Sequence, residues 1–283
     1  MWARHVAHTG PETNHLADRI ELDGRATDVV SLEGVPIGPT WNGEFFLGAD
    51  GNGRDVMVRL LYAGRTSLLI GMAASLVTIV AAVVVGLLAG YLRGWTDAVL
   101  SRVLDVLWAF PVILLGVALG TALALGGLKV GPLTVAPGSE LIPILVIALV
   151  YVPYLARPIR AQALALREKE FVEAARAQGA GPARIMFREI LPNLTSTITV
   201  FLPLLVANAI LLEAALSFLG AGVQPPTASW GTMIDDGVGR IATAPHLAIV
   251  PGAMLVVAVL SLNALADGVR AALDPRAAPR LAR

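Results

Sequence analysis

Charge divides this chain into long apolar stretches joined by short polar connectors. No charged side chain occurs in 66–92, 106–128, 141–156, 190–212 or 241–266, the first bounded by Arg65 and Arg93, the last by Arg240 and Asp267. A helix needs about 20 predominantly apolar residues to cross the hydrocarbon core of a bilayer. Four of the runs meet that length. The shorter 141–156 run carries Tyr151 and Tyr154 where they can reach the headgroup region. Ala, Val, Leu and Gly fill the runs without two-residue alternation, which argues against a β-barrel. Five membrane helices are predicted, in an all-α polytopic bundle. Pro111, Pro143, Pro153, Pro203 and Pro251 lie inside the runs; each removes a backbone donor and tends to kink a helix. Gly71, Gly86, Gly90, Gly116 and Gly120 permit close helix approach. Both residue types are common in membrane helices, so a kinked, closely packed bundle is expected without a specific motion being implied.

The basic residues of the connectors set the orientation. Arg93 and Arg102 flank the first connector, and Arg157, Arg160, Arg167, Lys169, Arg176, Arg184 and Arg188 fill the long third one. Arg270, Arg276, Arg280 and Arg283 lie in the tail, whereas the two opposite connectors hold only Lys129 and Arg240. The side with the long loop 157–192 and the tail 271–283 is therefore expected to be cytoplasmic. Five spans then place residues 1–65 outside, yet these contain no signal-peptide pattern and carry Arg54, Arg59 and Arg65 next to the first span. A chain of this kind should have one more helix to export that segment, so a missing first span is expected; the alternative is a genuine five-helix protein with an unaided exported tail.

Composition agrees with a membrane protein. Hydrophobic residues make up 56% and charged residues 15%, with a mean hydropathy of +0.72; soluble domains carry roughly 25% charged residues. The 21 Lys+Arg balance the 21 Asp+Glu, so no global field points to nucleic acid. The absence of Cys excludes a disulfide framework, a thiol nucleophile and a Cys-ligated metal.

The long cytoplasmic loop is the most informative stretch. Residues 168–178 lack helix breakers and have an Ala-rich centre, which favours helix. Phe171, Ala174, Ala175 and Gln178 share one face at helical spacing. Gly179 suits a left-handed C-terminal position, and Pro182 suits the first turn of a second helix. Pro192 is placed just before the next span. The result is helix, glycine turn, helix, with Ala174, Ala175 and Gly179 forming a shallow face suited to close docking by a partner protein. The only alternative is a fortuitous Ala-rich surface helix.

Glu173-Ala174-Ala175, then Gly179, then Leu191-Pro192 resemble the EAA signature of ABC importer permeases, with Glu189 where the signature has Ile. Three further segments resemble the dipeptide/oligopeptide/nickel branch of that family. The first is Phe46-Leu47-Gly48-Ala49-Asp50 with Gly53-Arg54-Asp55-Val56, in which Ala49 replaces the usual Thr, continuing through Arg59 to Ser67. Physically, 50–53 reads as a turn, either ordinary and solvated or part of that motif, with a short helix from Arg54. The second comprises Leu216-Ser217-Phe218-Leu219-Gly220, Gly222-Val223-Gln224-Pro225-Pro226 and Ser229-Trp230-Gly231. The third is Asp267-Gly268-Val269-Arg270 with Leu273-Asp274-Pro275-Arg276.

The resemblance implies a type I ABC importer permease fold with six spans, a transmembrane type-1 domain over 66–270, and a bacterial inner-membrane location. It implies that loop 157–192 couples to the ATPase through Glu173, Ala174, Ala175, Gly179, Leu191 and Pro192. It implies a second homologous permease, two ATPase subunits that use ATP and Mg, and an extracytoplasmic solute-binding protein. No cofactor on this chain is implied. Dipeptides, longer peptides, glutathione and nickel chelates travel through similar permeases, and no residue here separates them.

The remaining chemistry is sparse. No Gly-x-x-x-x-Gly-Lys-[Ser/Thr] occurs, and neither Lys129 nor Lys169 follows a glycine, so ATP phosphates have no P-loop. Glu213 is the one carboxylate well inside an apolar stretch, a candidate for pathway contact or for an outer gate. His5, His8 and His15 lie in a polar tail without paired carboxylates, and no metal site is expected. His246 and the pair Trp95 and Trp230 fit interfacial positions. An ion-coupled transporter would need ionisable groups in several spans and an internal repeat; an intramembrane enzyme would need a clustered constellation. Neither is found, and a purely structural subunit leaves the docking loop unexplained.

Overall fold

In a computed structural model of the chain, residues 9–22, 24–41, 44–131 and 133–273 are described. His5, His8 and the segment Asp274-Pro275-Arg276 lie outside the described residues. The elements run β1 (Arg19–Leu22), β2 (Arg25–Asp28), α1 (Val56–Leu92), α2 (Gly94–Trp108), α3 (Val112–Gly126), β3 (Leu128–Val130), β4 (Leu133–Val135), α4 (Leu141–Leu166), α5 (Glu170–Ala177), α6 (Pro182–Phe218), α7 (Trp230–Val238) and α8 (His246–Leu273). Both sheets are two-stranded antiparallel hairpins, β1 paired with β2 and β3 with β4.

Helices α1, α4, α6 and α8 are long and apolar enough to cross a membrane. A fifth crossing exists if α2 and α3, bent by 90° at their junction, count together. The single second span read from 106–128 is thus corrected. Pro111 sits in the break, where its missing N–H and fixed φ end the helix. Pro153, Pro203 and Pro251, by contrast, lie inside uninterrupted helices, as does Pro158. Pro192 does not separate the loop from the span either. Helix α6 runs through it, with a π turn at Ile185–Ile190 just before; the proline ring would press on the carbonyl four residues back, and the wider turn gives it room.

The chain falls into two compact units. The first comprises the described residues among 1–70, 117–143 and 210–258; the second comprises those among 71–116, 144–209 and 259–283. In the first, Ile20, Val29, Val30, Phe45 and Ala49 form a small core under the β1–β2 hairpin, so the segment before α1 is folded and not a bare tail. In the second, Leu87, Tyr91, Leu155, Ile159, Val172, Ile185 and Ile190 belong to one apolar core. There α1 packs on α4 backbone to backbone. A Cβ on Gly86 would stand 2.6 Å from Ile159 Cγ2 and 2.9 Å from the Ala156 carbonyl oxygen; one on Gly90 would stand 2.7 Å from Ala163 Cβ. The expected close approach at Gly86 and Gly90 is therefore real, and glycine is required for it. In α8, Ile249, Val256, Val257 and Leu260 are exposed along the helix, as suits surfaces covered by lipid or by another subunit.

Candidate functional site

Two constellations carry the residues singled out from the sequence, one in each unit. In the second unit α5 begins after Lys169, in extended conformation, and has Glu170 and Glu173 in its first turn, where carboxylates are favoured by the helix dipole. Its C-terminus closes in a Schellman arrangement: the Ala180 N–H donates to the Ala175 carbonyl at 3.0 Å and the Gly179 N–H to that of Arg176 at 2.9 Å. Gly179 has φ +81°, the left-handed region that glycine enters without steric cost. Pro182 then opens α6 at its first position.

The orientation of α5 corrects one element of the docking face. Val172 and Ala175 point into the core with Ile185 and Met186, whereas Phe171, Glu173, Ala174, Gln178 and Gly179 are exposed. Ala175 therefore seats the helix, and the outward face is Phe171, Ala174 and Gln178 with the Gly179 turn. Phe187, on the following turn of α6, is 58% exposed and extends this surface. Leu191 is half-buried and Pro192 exposed.

The same segment is tied to the end of α1 by residues whose role the sequence did not reveal. Arg167 Nη1 donates to the Tyr91 carbonyl at 2.5 Å, neutralising one of the helix-terminal acceptors. The Arg167 and Arg176 guanidinium groups stand 5.9 and 5.8 Å from the Tyr91 ring centre, within cation–π range. Arg93, in a positive-φ conformation, pairs with Glu168 at 3.5 Å. Arg160 further clamps α4 to α2 through a two-point bond to Asp97, at 2.5 and 2.7 Å.

The first unit gathers the Asp50, Gly53, Arg54 and Asp55 motif. Asp50 folds the turn on itself: its Oδ1 accepts from the N–H groups of Asn52 and Arg54 at 2.9 and 3.0 Å, and its Oδ2 from Arg54 Nε at 2.7 Å. Gly53, at φ +72°, lies against the backbone of His15, which a Cβ would approach to 2.7 Å. Asp55 is the N-cap of α1, accepting from the Val58 N–H at 3.0 Å. Burial pushes its carboxyl above the ordinary value, and the backbone bonds offset this only in part. The turn is far from an ordinary solvated one, since Asp50 is 7% and Arg59 4% exposed. Arg54 and Arg59 both approach Asp236 of α7, at 3.7 and 3.6 Å. Sequence reading missed Asp236, which no local pattern distinguishes.

Glu213 is fully buried in α6. Ser217 Oγ donates to its Oε1 at 2.7 Å and accepts from the Val223 N–H at 3.0 Å, so the carboxyl is knitted into the turn that follows α6. The neighbouring Ser229 caps α7 in a capping box with Thr232. Trp230 is 3% exposed and not interfacial: its indole N–H donates to the Leu60 carbonyl at 3.3 Å, and its backbone N–H to Ser67 Oγ at 3.2 Å. Trp95 is 83% exposed. His246 opens α8 with Nε2 3.4 Å from the Ala49 carbonyl oxygen. Among the described residues, no group of three or more His, Cys, Asp or Glu is arranged to hold a metal ion.

Residues 82–279 match the family described as binding-protein-dependent transport system inner membrane component. The Glutathione transport system permease protein GsiD of Pectobacterium atrosepticum is 38% identical over 231 residues, covering 82% of this chain and 72% of its own. The Dipeptide transport system permease protein DppC of Alkalihalophilus pseudofirmus is 40% identical over 233 residues, with the same two coverages. Among solved structures, a chain of the MetNI methionine ABC transporter in an inward-facing conformation superposes with a TM-score of 0.60 at 20% identity, covering 77% of this chain and 98% of that one. A chain of an amino acid ABC transporter gives 0.55 at 17% identity, covering 75% and 92%. These two likenesses establish the fold.

Proposed function

This chain belongs to the family of binding-protein-dependent transport system inner membrane components, the permease subunits of ABC importers, and on that premise we propose that it forms half of an import pathway for di- or oligopeptides. It is a multi-pass membrane protein that works with ATPase partners and is not itself the ATPase. Relatives named for dipeptide and glutathione transport support the substrate class. A second, homologous permease completes the pathway, an extracytoplasmic binding protein delivers the peptide, and ATP with Mg is consumed in the ATPase subunits.

The observation that carries this reading is the α5–Gly179–α6 segment. It presents Phe171, Ala174 and Gln178 outward while Val172 and Ala175 root it in the core. Docked in a cleft of the ATPase, such a segment moves with that subunit. Its motion reaches α1 through Tyr91 and α2 through Arg93 and Arg160, the groups tied to it or to the helix leading into it. For ATP binding to bias it, this interface has to take two packings of similar energy. In this reading the loop 157–192 and the C-terminus are cytoplasmic, and the segment before α1 is outside.

The test is ATP hydrolysis by the reconstituted complex, with its binding protein loaded from a panel of peptides and metal chelates. Stimulation by peptides, lost in Gly179→Asp while assembly in the membrane is retained, is the expected result. Stimulation by chelates alone overturns the substrate class, and undiminished stimulation in Gly179→Asp overturns the coupling role.

A further inference from the structure

The sequence motif around Asp50 does more than shape a turn. With α7 it encloses a recess of about 140 Å³ lined by Asp50, Arg54, Arg59, Asp236 and Arg240, among others. Arg59 lies beneath it with a side chain only 4% exposed. The guanidinium is poorly satisfied there. Its Nε stands 3.4 Å from Asp50 Oδ2 and its Nη2 3.6 Å from Asp236 Oδ2, both longer than a well-formed hydrogen bond. Its Nη1 is buried with no hydrogen-bond partner among the described residues. A guanidinium offers five donors in a fixed fork, and leaving one of them dry and unpaired is costly.

Charge points the same way. Three guanidinium groups (Arg54, Arg59, Arg240) line the recess against two carboxylates (Asp50, Asp236). Asp235 and Glu12 are solvent-exposed and do not line it. The recess is short of one negative charge, and what Arg59 lacks is one planar oxygen acceptor. A carboxylate supplies both. The volume is well under the roughly 300–1,000 Å³ of a site that encloses a whole small molecule, so it suits an end group and not an entire ligand.

We propose that this recess is a carboxylate-binding site that receives the terminal carboxylate of the incoming peptide, with the Arg59 guanidinium as its principal cation and Arg240 at its rim. The assignment rests on the peptide-import reading above. Asp50, itself held by Arg54, anchors Arg59, and Asp236 sets the charge of the site from its exposed edge.

The experiment uses the full complex in proteoliposomes, with saturating binding protein and two probes, Ala-Ala and its C-terminal amide. The quantity is the ratio of uptake kcat/KM for the free peptide over the amide. Any preference of the binding protein for a free carboxylate is common to all variants and cancels in the comparison. In Arg59→Gln this ratio is expected to fall about tenfold or more, the scale of one charge-assisted bond. Arg240→Gln should lower it less, and Asp236→Asn, which adds one net positive charge, should raise it. The last two substitutions are at exposed side chains, so their opposite signs carry the test even where Arg59→Gln does not assemble. Excess acetate that lowers the ratio in the wild type, with little further effect in the arginine variants, supports a site open to any small carboxylate. A ratio indifferent to all three substitutions overturns the proposal. Wild-type complex that takes up neither probe overturns the peptide reading itself, a separate result from uptake with an unresponsive ratio.

Discussion

A substitution series at Gly179 separates backbone geometry from surface chemistry at the ATPase-docking segment. At φ +81° an added Cβ meets nothing within 4 Å, so a side chain there costs backbone strain and no clash. For an ordinary L-residue in the left-handed region that strain is about 1–2 kcal/mol, which lowers the ratio of native to non-native turn roughly 5- to 30-fold. Asn tolerates this region and escapes most of the penalty, whereas a β-branched residue suffers it most. If the ATPase binds the segment only in its native turn, affinity should fall in the order Gly, Asn, Ala, Val, with Val down by about one order of magnitude. Asp compared with Asn then isolates the effect of one negative charge on the docking face, since the two are nearly equal in shape. The assay is titration of purified ATPase subunits against the permease complex in nanodiscs, with membrane yield as the control. Gly179 is exposed and packs on nothing, so yield should stay level. Equal affinities for Asn, Ala and Val would refute the claim that turn geometry governs docking.

Three further outcomes follow from packing and capping. Gly86→Val places atoms where Ile159 and the Ala156 carbonyl already stand; the overpacking should cost about 1–3 kcal/mol, read as a lower thermal midpoint, and an unchanged midpoint would show that α1 and α4 are not held this closely. Trp230→Ala empties a buried site and frees the Leu60 carbonyl, with an expected loss of about 3–5 kcal/mol; Trp230→Phe should lose clearly less. Burial holds the Asp55 carboxyl above its ordinary value of 3.8, so the folded form binds this proton more tightly than the unfolded one. Its penalty is in force above the raised value and is relieved as pH falls through it. The midpoint difference between Asp55→Asn, which keeps the cap, and the wild type should therefore shift in favour of the wild type as pH falls toward 3.8. A difference independent of pH would refute the burial argument.

The sequence located helices well and their ends poorly, for one physical reason. Charge-free runs mark what must sit in hydrocarbon, but a helix continues wherever its backbone bonds and packing allow. Thus α1 starts at Val56 and carries Arg59 and Arg65 within it, and α4 continues past Arg157 and Arg160 to Leu166. Arg59, Arg157 and Arg160 find carboxylate partners in Asp50, Asp236, Asp105 and Asp97, and such partners are invisible to a reading along the chain. Proline was judged by its local cost alone. In a helix buried among other helices that cost is met by neighbours, so only Pro111, at a bend where the chain changes direction, ended an element.

The same limit explains what was legible in the two constellations. The docking segment is local: Glu173, Gly179 and Pro182 lie within ten residues, their roles follow from helix and turn chemistry, and the structure changed which face Ala175 takes and carried α6 unbroken through Pro192. The Arg59 recess is not local. Its turn, 50–54, was readable because Asp and Gly at that spacing fold on themselves, but its meaning depends on Asp236 and Arg240, which lie in and just after a short helix far along the chain. An arginine beside a turn is unremarkable in sequence. It becomes informative only when the fold removes water from its guanidinium and supplies too few acceptors in exchange. That deficit follows from tertiary packing, which is why the site emerges from the fold and not from the motif that contributes most of its residues.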